Sequence, residues 1–291
     1  MKQLLILSGK GGTGKTTIAS AFIKLADAKA YADCDVDAPN LHLITGWDRE
    51  PQKKDYYGLP KAKINTDLCI RCDQCRQNCR FDAISAEPDY KVDFFACEGC
   101  GVCEYVCPVG AVGMEPAVAG ELMLYSDEVK AFSTAQLRMG SGTSGMLVTE
   151  VKKQMRSAAS DTKLAIIDGS PGIGCPVIAS LSGVDMVLIV AEPSISGISD
   201  MERIIITAAK FGIETAVCIN KYDTNIKNSE KIEQFCDEQG LPFVGRVSFD
   251  SGAVKAINNG QSIVDIDCKS GTEVTEIYHK IMNLLYDNSD D

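Results

Sequence analysis

The feature that most constrains this chain is a glycine-rich segment at residues 9–17, GKGGTGKTT, which directly follows the apolar run LLIL. Glycines after a buried strand let successive backbone N–H groups converge on anionic oxygens at the start of a helix. The spacing puts Gly14, Lys15 and Thr16 at the end of the phosphate-loop pattern G-x-x-x-x-G-K-[ST]. We therefore expect a strand, a nucleotide-binding loop and a helix at the N-terminus.

The motif predicts a role for individual side chains. Lys15 is expected to reach the β- and γ-phosphates, and the Thr16 hydroxyl is expected to ligate Mg²⁺. Asp168 ends the hydrophobic run KLAIID and fits the Walker B aspartate, which holds Mg²⁺ through water. The loop residues expected to contact the nucleotide are Gly9, Lys10, Gly11, Gly12, Thr13, Gly14, Lys15, Thr16 and Thr17.

The form KGGTGKT, with a second lysine at Lys10, resembles the phosphate loop of the MinD/ParA group of P-loop ATPases. This resemblance implies that Lys10 crosses a dimer interface to the nucleotide of the partner. Residues 33–40, DCDVDAPN, are similar to the first switch of that family. The similarity implies that Asp35 orients the attacking water and that Asp33 supports the Mg²⁺ shell. The expected catalytic residues are Lys10, Lys15 and Asp35.

The segment NKYD, residues 220–223, ends a predicted strand and bears on the nucleotide base. An N-K-x-D motif selects guanine in GTPases. The MinD-like resemblance implies instead that Asn220 contacts adenine. The two lysines of KGGTGKT favour ATP, and GTP stays a minor alternative.

Eight of the 13 cysteines lie between Cys69 and Cys107, in two copies of the spacing Cys-x2-Cys-x2-Cys-x3-Cys. The segments INTDLCIRCDQCRQNCRFDAI and VDFFACEGCGVCEYVCPVGAV align position for position, so the chain contains an internal repeat. We expect a cytoplasmic chain, and in that setting clustered cysteines indicate metal binding rather than disulfides.

The cysteine spacing predicts two [4Fe–4S] clusters, because three closely spaced thiolates cap one cluster and the fourth reaches the other. The two predicted ligand sets are Cys69, Cys72, Cys75 and Cys107 for the first cluster, and Cys97, Cys100, Cys103 and Cys79 for the second. A pair of zinc sites is the alternative, although zinc sites rarely repeat four evenly stepped cysteines. The repeat resembles bacterial two-cluster ferredoxins, except that Arg80 replaces the proline after Cys79.

Cys175 lies in the segment SPGIGC, which resembles the second switch of the same family. In the nitrogenase iron protein, a relative within that superfamily, a cysteine at this distance after the aspartate ligates a cluster shared between subunits. The other ligand of such a cluster would fall near Thr143, which has no thiol. We therefore expect Cys175 to be a thiol without metal.

The other segments alternate predicted strands and helices, as in a doubly wound, mostly parallel α/β sheet. The charged segment 47–60 is predicted to be a linker, and 117–137 to form short strands that rejoin the sheet. We predict a P-loop ATPase domain at 1–58 and 116–291, interrupted by an α+β ferredoxin-like domain with two clusters at 59–115.

Composition restricts the possible partners. The net charge of −11 is a poor match to nucleic acid, where Lys and Arg must replace the phosphate counterions. No apolar run reaches membrane-spanning length, and the acidic end DNSDD disfavours docking of the last amphipathic helix on anionic lipid. We expect a cytoplasmic protein that binds no nucleic acid and has no stable membrane anchor.

Together the motifs resemble MinD-superfamily ATPases that carry an inserted ferredoxin, a group found in anaerobic bacteria and archaea. The resemblance implies hydrolysis of ATP to ADP and phosphate by a homodimer, or by a heterodimer with a paralogue. It also implies that nucleotide state is coupled to electron transfer to, or metallocluster assembly on, a partner protein. Two alternatives stay open: a MinD/ParA-like positioning ATPase with clusters as redox sensors, and a simple electron carrier whose nucleotide is structural.

Overall fold

The computed structural model describes residues 1–159 and 161–287. In chain order its strands are β1 (Lys2–Leu7), β2 (Ala30–Asp33), β3 (Gln52–Tyr57), β4 (Lys61–Ile64), β5 (Ile84–Ser85), β6 (Lys91–Val92), β7 (Val112–Glu115), β8 (Val118–Ser126), β9 (Ala131–Leu137), β10 (Leu164–Asp168), β11 (Met186–Ala191), β12 (Glu214–Asn220) and β13 (Phe243–Val247).

The helices cover both faces of the main sheet. In chain order they are α1 (Lys15–Leu25), α2 (His42–Thr45), α3 (Gln74–Gln77), α4 (Val102–Tyr105), α5 (Ser144–Ala158), α6 (Cys175–Leu181), α7 (Ile195–Lys210), α8 (Ile226–Glu238), α9 (Ser251–Asn258) and α10 (Lys269–Asp287). Residues of α5, α6, α7 and α8 form one apolar core with the sheet, and residues of α1 and α10 form the other.

Within the described ranges, nine strands form one sheet in the order β13-β12-β11-β1-β10-β2-β9-β8-β3. The strands from β13 to β9 run parallel, and β8 and β3 add an antiparallel edge. The central strand β1 is a continuous apolar run because helices cover it on both sides. The predicted mostly parallel α/β sheet is confirmed, and 117–137 rejoins it as β8 and β9.

The prediction of a linker at 47–60 is wrong for much of that segment. β3 is an edge strand of the main sheet, antiparallel to β8, with Gln52 opposite Leu124. Only Tyr56 of this strand is buried. Charged residues are typical of an exposed sheet edge, where they oppose pairing with other chains. The composition that suggested a linker is therefore that of a protected edge strand.

Residues 61–115 form a smaller unit with its own paired strands. β4 and β7 are antiparallel, with Lys61 opposite Glu115, and β5 pairs with β6. The internal repeat is visible in the backbone: Asp73 and Gly101 hold equivalent positions before α3 and α4, and both have a positive φ. A separate apolar cluster fills this unit; it includes Ala62, Cys75, Ala83, Ile84, Tyr90, Cys97 and Val112.

No helix among residues 1–159 and 161–287 is both long enough and apolar enough to cross a bilayer. Most of the acidic end DNSDD lies outside the described part of the chain, so its expected effect on lipid docking stays a prediction.

One lysine is buried in the main core. Lys152 of α5 is 2% exposed, and its Nζ donates hydrogen bonds to the carbonyl oxygens of Ser180 and Ser182, at 2.5 and 2.6 Å. Carbonyl groups at a helix C-terminus lack partners within the helix, and a cation there also interacts well with the helix dipole. Lys152 therefore ties α5 to the end of α6.

Burial lowers the pKa of Lys152 from 10.5 to about 8. Unfolding restores the higher pKa, so the unfolded chain binds more protons between these pH values, and the free energy of unfolding rises with pH there. We expect the difference in the free energy of unfolding between wild type and Lys152→Met to rise in favour of wild type by about 1 kcal/mol per pH unit above pH ~8. Urea unfolding at several pH values measures this slope.

The control is Lys153→Met, which removes an exposed lysine from the same helix and should leave the wild-type pH dependence unchanged. A difference between wild type and Lys152→Met that stays constant with pH would contradict the prediction.

Candidate nucleotide site and cysteine cavities

A cavity of about 740 Å³ lies at the carboxyl ends of the central strands, a size typical of small-molecule sites. The predicted nucleotide ligands that line it are Lys10, Gly11, Gly12, Thr13, Gly14, Lys15, Thr16, Thr17 and Asn220. Gly9 is not among the lining residues. A Cβ at Gly9 would lie 2.2 Å from the Cβ of Asp200, so this glycine is required by close packing against α7.

Lys15 and Thr16, which line this cavity, both contact Asp168, which is not among the lining residues. Asp168 is fully buried and forms an ion pair with the Lys15 ammonium. The Thr16 hydroxyl donates a hydrogen bond to the other oxygen of the same carboxylate, at 2.6 Å. The contact arises because β10, which ends at Asp168, pairs with β1, and β1 leads into the phosphate loop. Thr16 and Asp168, two of the three residues predicted for the Mg²⁺ site, are thus in direct contact.

Asp33 lies in register with Asp168 on the neighbouring strand and is fully buried. Its Oδ1 accepts a hydrogen bond from the backbone N–H of Asp35, and its Oδ2 accepts from those of Asn40 and Leu41, each at 3.0 Å. Burial and the nearby Asp168 carboxylate raise the pKa of Asp33. Its observed contacts hold the loop after β2 in shape, and its part in a Mg²⁺ shell stays a prediction.

Asp35 and Lys10 both line the cavity but differ in their contacts. Burial raises the pKa of Asp35, which is half-buried, while the positive charge of Lys15 acts in the opposite direction. The Nζ of Lys10 lies 2.9 Å from Oε2 of Glu192 and 3.1 Å from Oγ of Ser194, in the loop after β11. Lys10 is therefore bound to the loop after β11 of the same chain. Its role across an interface stays a prediction.

Asn220 positions the phosphate loop, a role that the sequence analysis missed. Its Nδ2 donates to the Thr13 carbonyl at 2.6 Å, and its Oδ1 accepts from the backbone N–H of Lys221 at 3.0 Å. A Cβ on Gly14 would lie 2.1 Å from Nδ2 of Asn220, and φ at Gly14 is +92°. Only glycine fits there. Contact of Asn220 with adenine stays a prediction.

The acidic residue of the N-K-x-D segment is engaged elsewhere. Oδ1 of Asp223 accepts a hydrogen bond from the backbone N–H of Phe249 at 2.8 Å. Residues after β13, including Ser248, Phe249 and Asp250, form part of the cavity wall, and Asp223 is not among the lining residues. Guanine selection requires a carboxylate facing the base, so this geometry favours ATP.

Two smaller cavities lie within the 61–115 unit, and each is lined by four of the clustered cysteines. One is lined by Cys69, Cys72, Cys75 and Cys107, and the other by Cys79, Cys97, Cys100 and Cys103. The fourth cysteine of each copy thus lies with the first three of the other copy. These are the two sets that the spacing predicts, and their binding of clusters stays a prediction.

Each cavity offers four cysteine thiols, the donor set that a [4Fe–4S] cluster takes. Four thiolates are also the donor set of one kind of zinc site. Among the described residues, no group of three or more His, Cys, Asp or Glu side chains is placed to hold a metal ion. A [4Fe–4S] cluster takes thiolates at its separate corners. The backbone N–H of Ala111 also donates to Sγ of Cys107 at 3.2 Å, which favours the thiolate form.

Comparison with known proteins identifies the fold family. The profile of the CobQ/CobB/MinD/ParA nucleotide binding domain matches residues 4–263, which include the phosphate loop and Asp168. The chain belongs to this family. The predicted MinD/ParA-type P-loop ATPase is confirmed at that level, and this member of the CobQ/CobB/MinD/ParA family is an ATP-binding protein.

Three similar proteins give the range of the family resemblance. An uncharacterized protein of Methanocaldococcus jannaschii is 32% identical over 295 residues, covering 97% of each chain. The septum site-determining protein MinD complexed with Mg-ADP from Pyrococcus horikoshii OT3 has a TM-score of 0.60 at 16% identity, covering 100% of this chain and 99% of that one. That likeness concerns the fold. Pyruvate synthase subunit PorD of Methanothermobacter marburgensis is 40% identical over 55 residues, 19% of this chain and 65% of that protein.

The position of Asp223 yields a test of base selection. In a guanine-reading site, the Asp carboxylate accepts a hydrogen bond from the 2-amino group of guanine. An Asn in its place can instead donate a hydrogen bond to the 2-oxo group of xanthine, so the substitution changes the preferred base. Here Asp223→Asn keeps the acceptor for Phe249, so we expect unchanged ATP affinity and no gain for xanthosine triphosphate. Fluorescent-nucleotide binding with ATP, GTP and xanthosine triphosphate measures this.

Asn220→Ala serves as the comparison, because it removes the hydrogen bond to the phosphate loop and should weaken ATP binding about tenfold, the cost of a buried hydrogen bond. A switch of Asp223→Asn from GTP to xanthosine triphosphate would establish the GTPase interpretation instead.

Proposed function

We propose that the protein is a dimeric, ATP-hydrolysing iron–sulfur protein in which nucleotide state controls electron transfer to, or metallocluster assembly on, a partner protein. The observation that carries this proposal is the sorting of eight cysteines into two sets of four, each around its own cavity, in a chain with a complete phosphate-loop site. The match to PorD, over a stretch about as long as the cysteine-bearing segment, supports it. The proposed inserted domain spans 59–115.

The eight cysteines would hold two [4Fe–4S] clusters. When bound, such clusters supply one-electron transfer at a potential set by their surroundings. The chain's contribution is four thiolates per cavity, an apolar lining and backbone N–H donors such as that of Ala111.

Hydrolysis in this proposal uses the residues at the nucleotide cavity. Phosphate binding draws the Lys15 ammonium away from Asp168, which leaves the Asp168 carboxylate and the Thr16 hydroxyl for Mg²⁺ and its water. Asp35 orients a water whose oxygen bonds to the γ-phosphorus as the bond to the β–γ bridging oxygen breaks, so that ADP and phosphate leave. Lys10 leaves Glu192 and neutralises charge on the partner's γ-phosphate.

A positioning ATPase of the MinD/ParA kind is the second candidate. The fold likeness to septum site-determining proteins favours it. The net charge of −11 speaks against a DNA or anionic-membrane surface as its track, because both surfaces attract basic rather than acidic proteins. The eight sorted cysteines would then serve as redox sensors, which the iron measurements below also examine.

The first prediction from this proposal concerns iron. Anaerobic reconstitution should give about eight iron atoms per chain, as two [4Fe–4S] clusters. Because the fourth ligands cross over, Cys107→Ser should alter the same electron paramagnetic resonance signal as Cys69→Ser, and Cys79→Ser the same signal as Cys97→Ser. Iron analysis and spectra of these four variants measure it.

Cys175→Ser is the matched control, since this exposed cysteine lies outside both cavities and its replacement should leave iron content unchanged. Pairing of Cys107 with the signal of Cys97, or retention of zinc in place of iron, would contradict the assignment.

The second prediction concerns the ATPase cycle. We expect Asp35→Ala to bind ATP but to release phosphate at least ~100-fold more slowly, because it loses the group that orients water. Its ATP-bound dimer should therefore persist. Lys10→Ala should remain monomeric with ATP, because the charge of the partner's γ-phosphate is not neutralised. Phosphate release and light scattering measure the two properties.

Lys54→Ala, an exposed lysine on β3 far along the chain from the phosphate loop, is the control and should behave as wild type. Normal ATP-dependent dimerisation by Lys10→Ala would show that this lysine has no role across the interface.

A further inference from the structure

The 61–115 unit contacts the ATPase body along a seam at loop 138–143, which connects β9 to α5. A small cavity marks this seam. Lys61, Phe94 and Glu98 of the unit line it together with Leu59, which lies just before the unit. On the side of the body it is lined by Ala117, Val118, Ala119, Ser141, Gly142 and Thr143. The residues of the unit at the seam belong to the second copy of the repeat or to the strand beside it.

Glu98 connects the seam to the second cysteine set. It follows Cys97 directly and lines both the seam cavity and the cavity of Cys79, Cys97, Cys100 and Cys103. Its Oε2 lies 3.2 Å from the position that a Cβ on Gly142 would take. The ring of Phe95, two residues before Cys97, lies 3.3 Å from the corresponding position on Gly140. Loop 138–143 therefore lies directly against this set.

Further contacts fix the same region. Lys61 donates a hydrogen bond to the carbonyl oxygen of Cys97 and lies over the ring of Phe94, 5.5 Å from its centroid. A Cβ on Gly99 would lie 2.4 Å from the carbonyl oxygen of Pro60, so this segment approaches the start of β4 very closely. These contacts join the backbone at Cys97 and Gly99 to the start of β4, next to the seam.

The first cysteine set has different neighbours. In the segment that carries it, Arg71 pairs with Asp89, and Asp73 binds Arg76 and Tyr90. All of these partners belong to the 61–115 unit itself. The polar contacts around Cys69, Cys72 and Cys75 thus hold that segment within the unit rather than to the ATPase body.

The other side of loop 138–143 is bound to both segments that resemble switches. Just before the loop, the backbone N–H of Leu137 donates to the carbonyl of Val36 at 2.8 Å, and Nε2 of Gln136 donates to the carbonyl of Asp37 at 3.1 Å. These carbonyls directly follow Asp35, which lines the nucleotide cavity. Just after the loop, a Cβ on Gly145 would lie 3.1 Å from the carbonyl oxygen of Cys175, at the start of α6.

Thr143, the last residue of the loop, lacks the hydrogen bond that its position before α5 would allow. It precedes α5 at the position where a threonine hydroxyl usually accepts a hydrogen bond from the first turn. Here that hydroxyl makes no cap, is buried, and has no hydrogen-bond partner in the described structure. An unpaired buried hydroxyl is unfavourable, and a hydrogen bond from the first turn of α5 would satisfy it.

We propose that loop 138–143 transmits nucleotide state to the cysteine set Cys79, Cys97, Cys100 and Cys103, and not to the set Cys69, Cys72, Cys75 and Cys107. The inference rests on the proposed function in that it requires clusters at these cysteines. Glu98 is the positioning residue at the seam. Movement of the loop changes the place of its carboxylate beside Cys97, and charge near a cluster sets the potential of that cluster.

The test is a redox titration followed by electron paramagnetic resonance, with Mg·ADP or with Mg²⁺ and a non-hydrolysable ATP analogue. Cys69→Ser and Cys97→Ser assign the two signals. The potential is set to the midpoint of the second-set cluster with ADP bound, and the nucleotide is then exchanged for the ATP analogue. We expect the ratio of reduced to oxidised second-set cluster to change about fivefold or more, which is a typical coupling between two sites. The ratio of the first-set cluster should stay unchanged.

Glu98→Gln keeps the size of the side chain but removes its charge, and it should reduce this change to less than about twofold, below the usual range of site coupling. Glu104→Gln is the matched control. It removes an exposed carboxylate one residue after Cys103, as Glu98 is one residue after Cys97, but outside the seam cavity. It should retain the full change. A nucleotide response of the first-set cluster, or a full response in Glu98→Gln, would overturn the proposal.

Hydrogen–deuterium exchange of the same protein separates this inference from the proposed function. Nucleotide should alter exchange in peptides covering 94–104 and 138–145 but not in those covering 66–76. If the protein takes up no iron, the proposed function fails, and exchange still decides whether the seam responds. Equal changes in all peptides, or changes confined to 66–76, would count against the seam.

Discussion

The buried contact of Lys15 and Thr16 with Asp168 is the interaction on which the arrangement of the site depends. It forms because β1 and β10 are neighbours in a parallel sheet, so that the loop after one strand meets the last residue of the other. Removing such an ion pair from water is costly unless both partners are well bonded. Asp33, in register with Asp168, accepts hydrogen bonds from backbone N–H groups of the following loop. The cationic partner of Asp168 is the Lys15 ammonium, and bound phosphates, being anionic, would attract that ammonium away from Asp168.

The sequence allows the phosphate loop, the alternation of strands and helices, and the sorting of the cysteines to be predicted, because each depends on local spacing. Contacts between segments that are far apart in the sequence could not be predicted in this way. The strand character of 52–57 depends on pairing with β8, and its charged residues alone suggest a linker. Asn220 binds the Thr13 carbonyl, and Asp223 binds the loop after β13. An N-K-x-D motif has the same letters whether its carboxylate faces a base or a neighbouring backbone N–H group.

The cysteine-bearing unit has little apolar material of its own. Its cluster of buried side chains includes two of the cysteines, Cys75 and Cys97, and is separate from both cores of the main sheet. A unit of this size buries a smaller share of its surface than a large domain does, and in the proposed function metal binding would add to its free energy of folding. The close approach of Glu98 to Gly142 gives it a second support, from the ATPase body.

These two supports have a thermodynamic consequence. If loop 138–143 lies in different positions with different nucleotides, and the second cysteine set experiences the difference through Glu98, then the two sites share a coupling free energy. Such coupling is reciprocal: the factor by which nucleotide changes the reduction of that set equals the factor by which reduction changes nucleotide affinity. Because Val36 and Cys175 contact opposite flanks of the same loop, an electron on that cluster would act on both segments that resemble switches. In the proposed function, reduction of a cluster at the second set would therefore shift nucleotide affinity by the same factor as nucleotide shifts the reduction of that cluster.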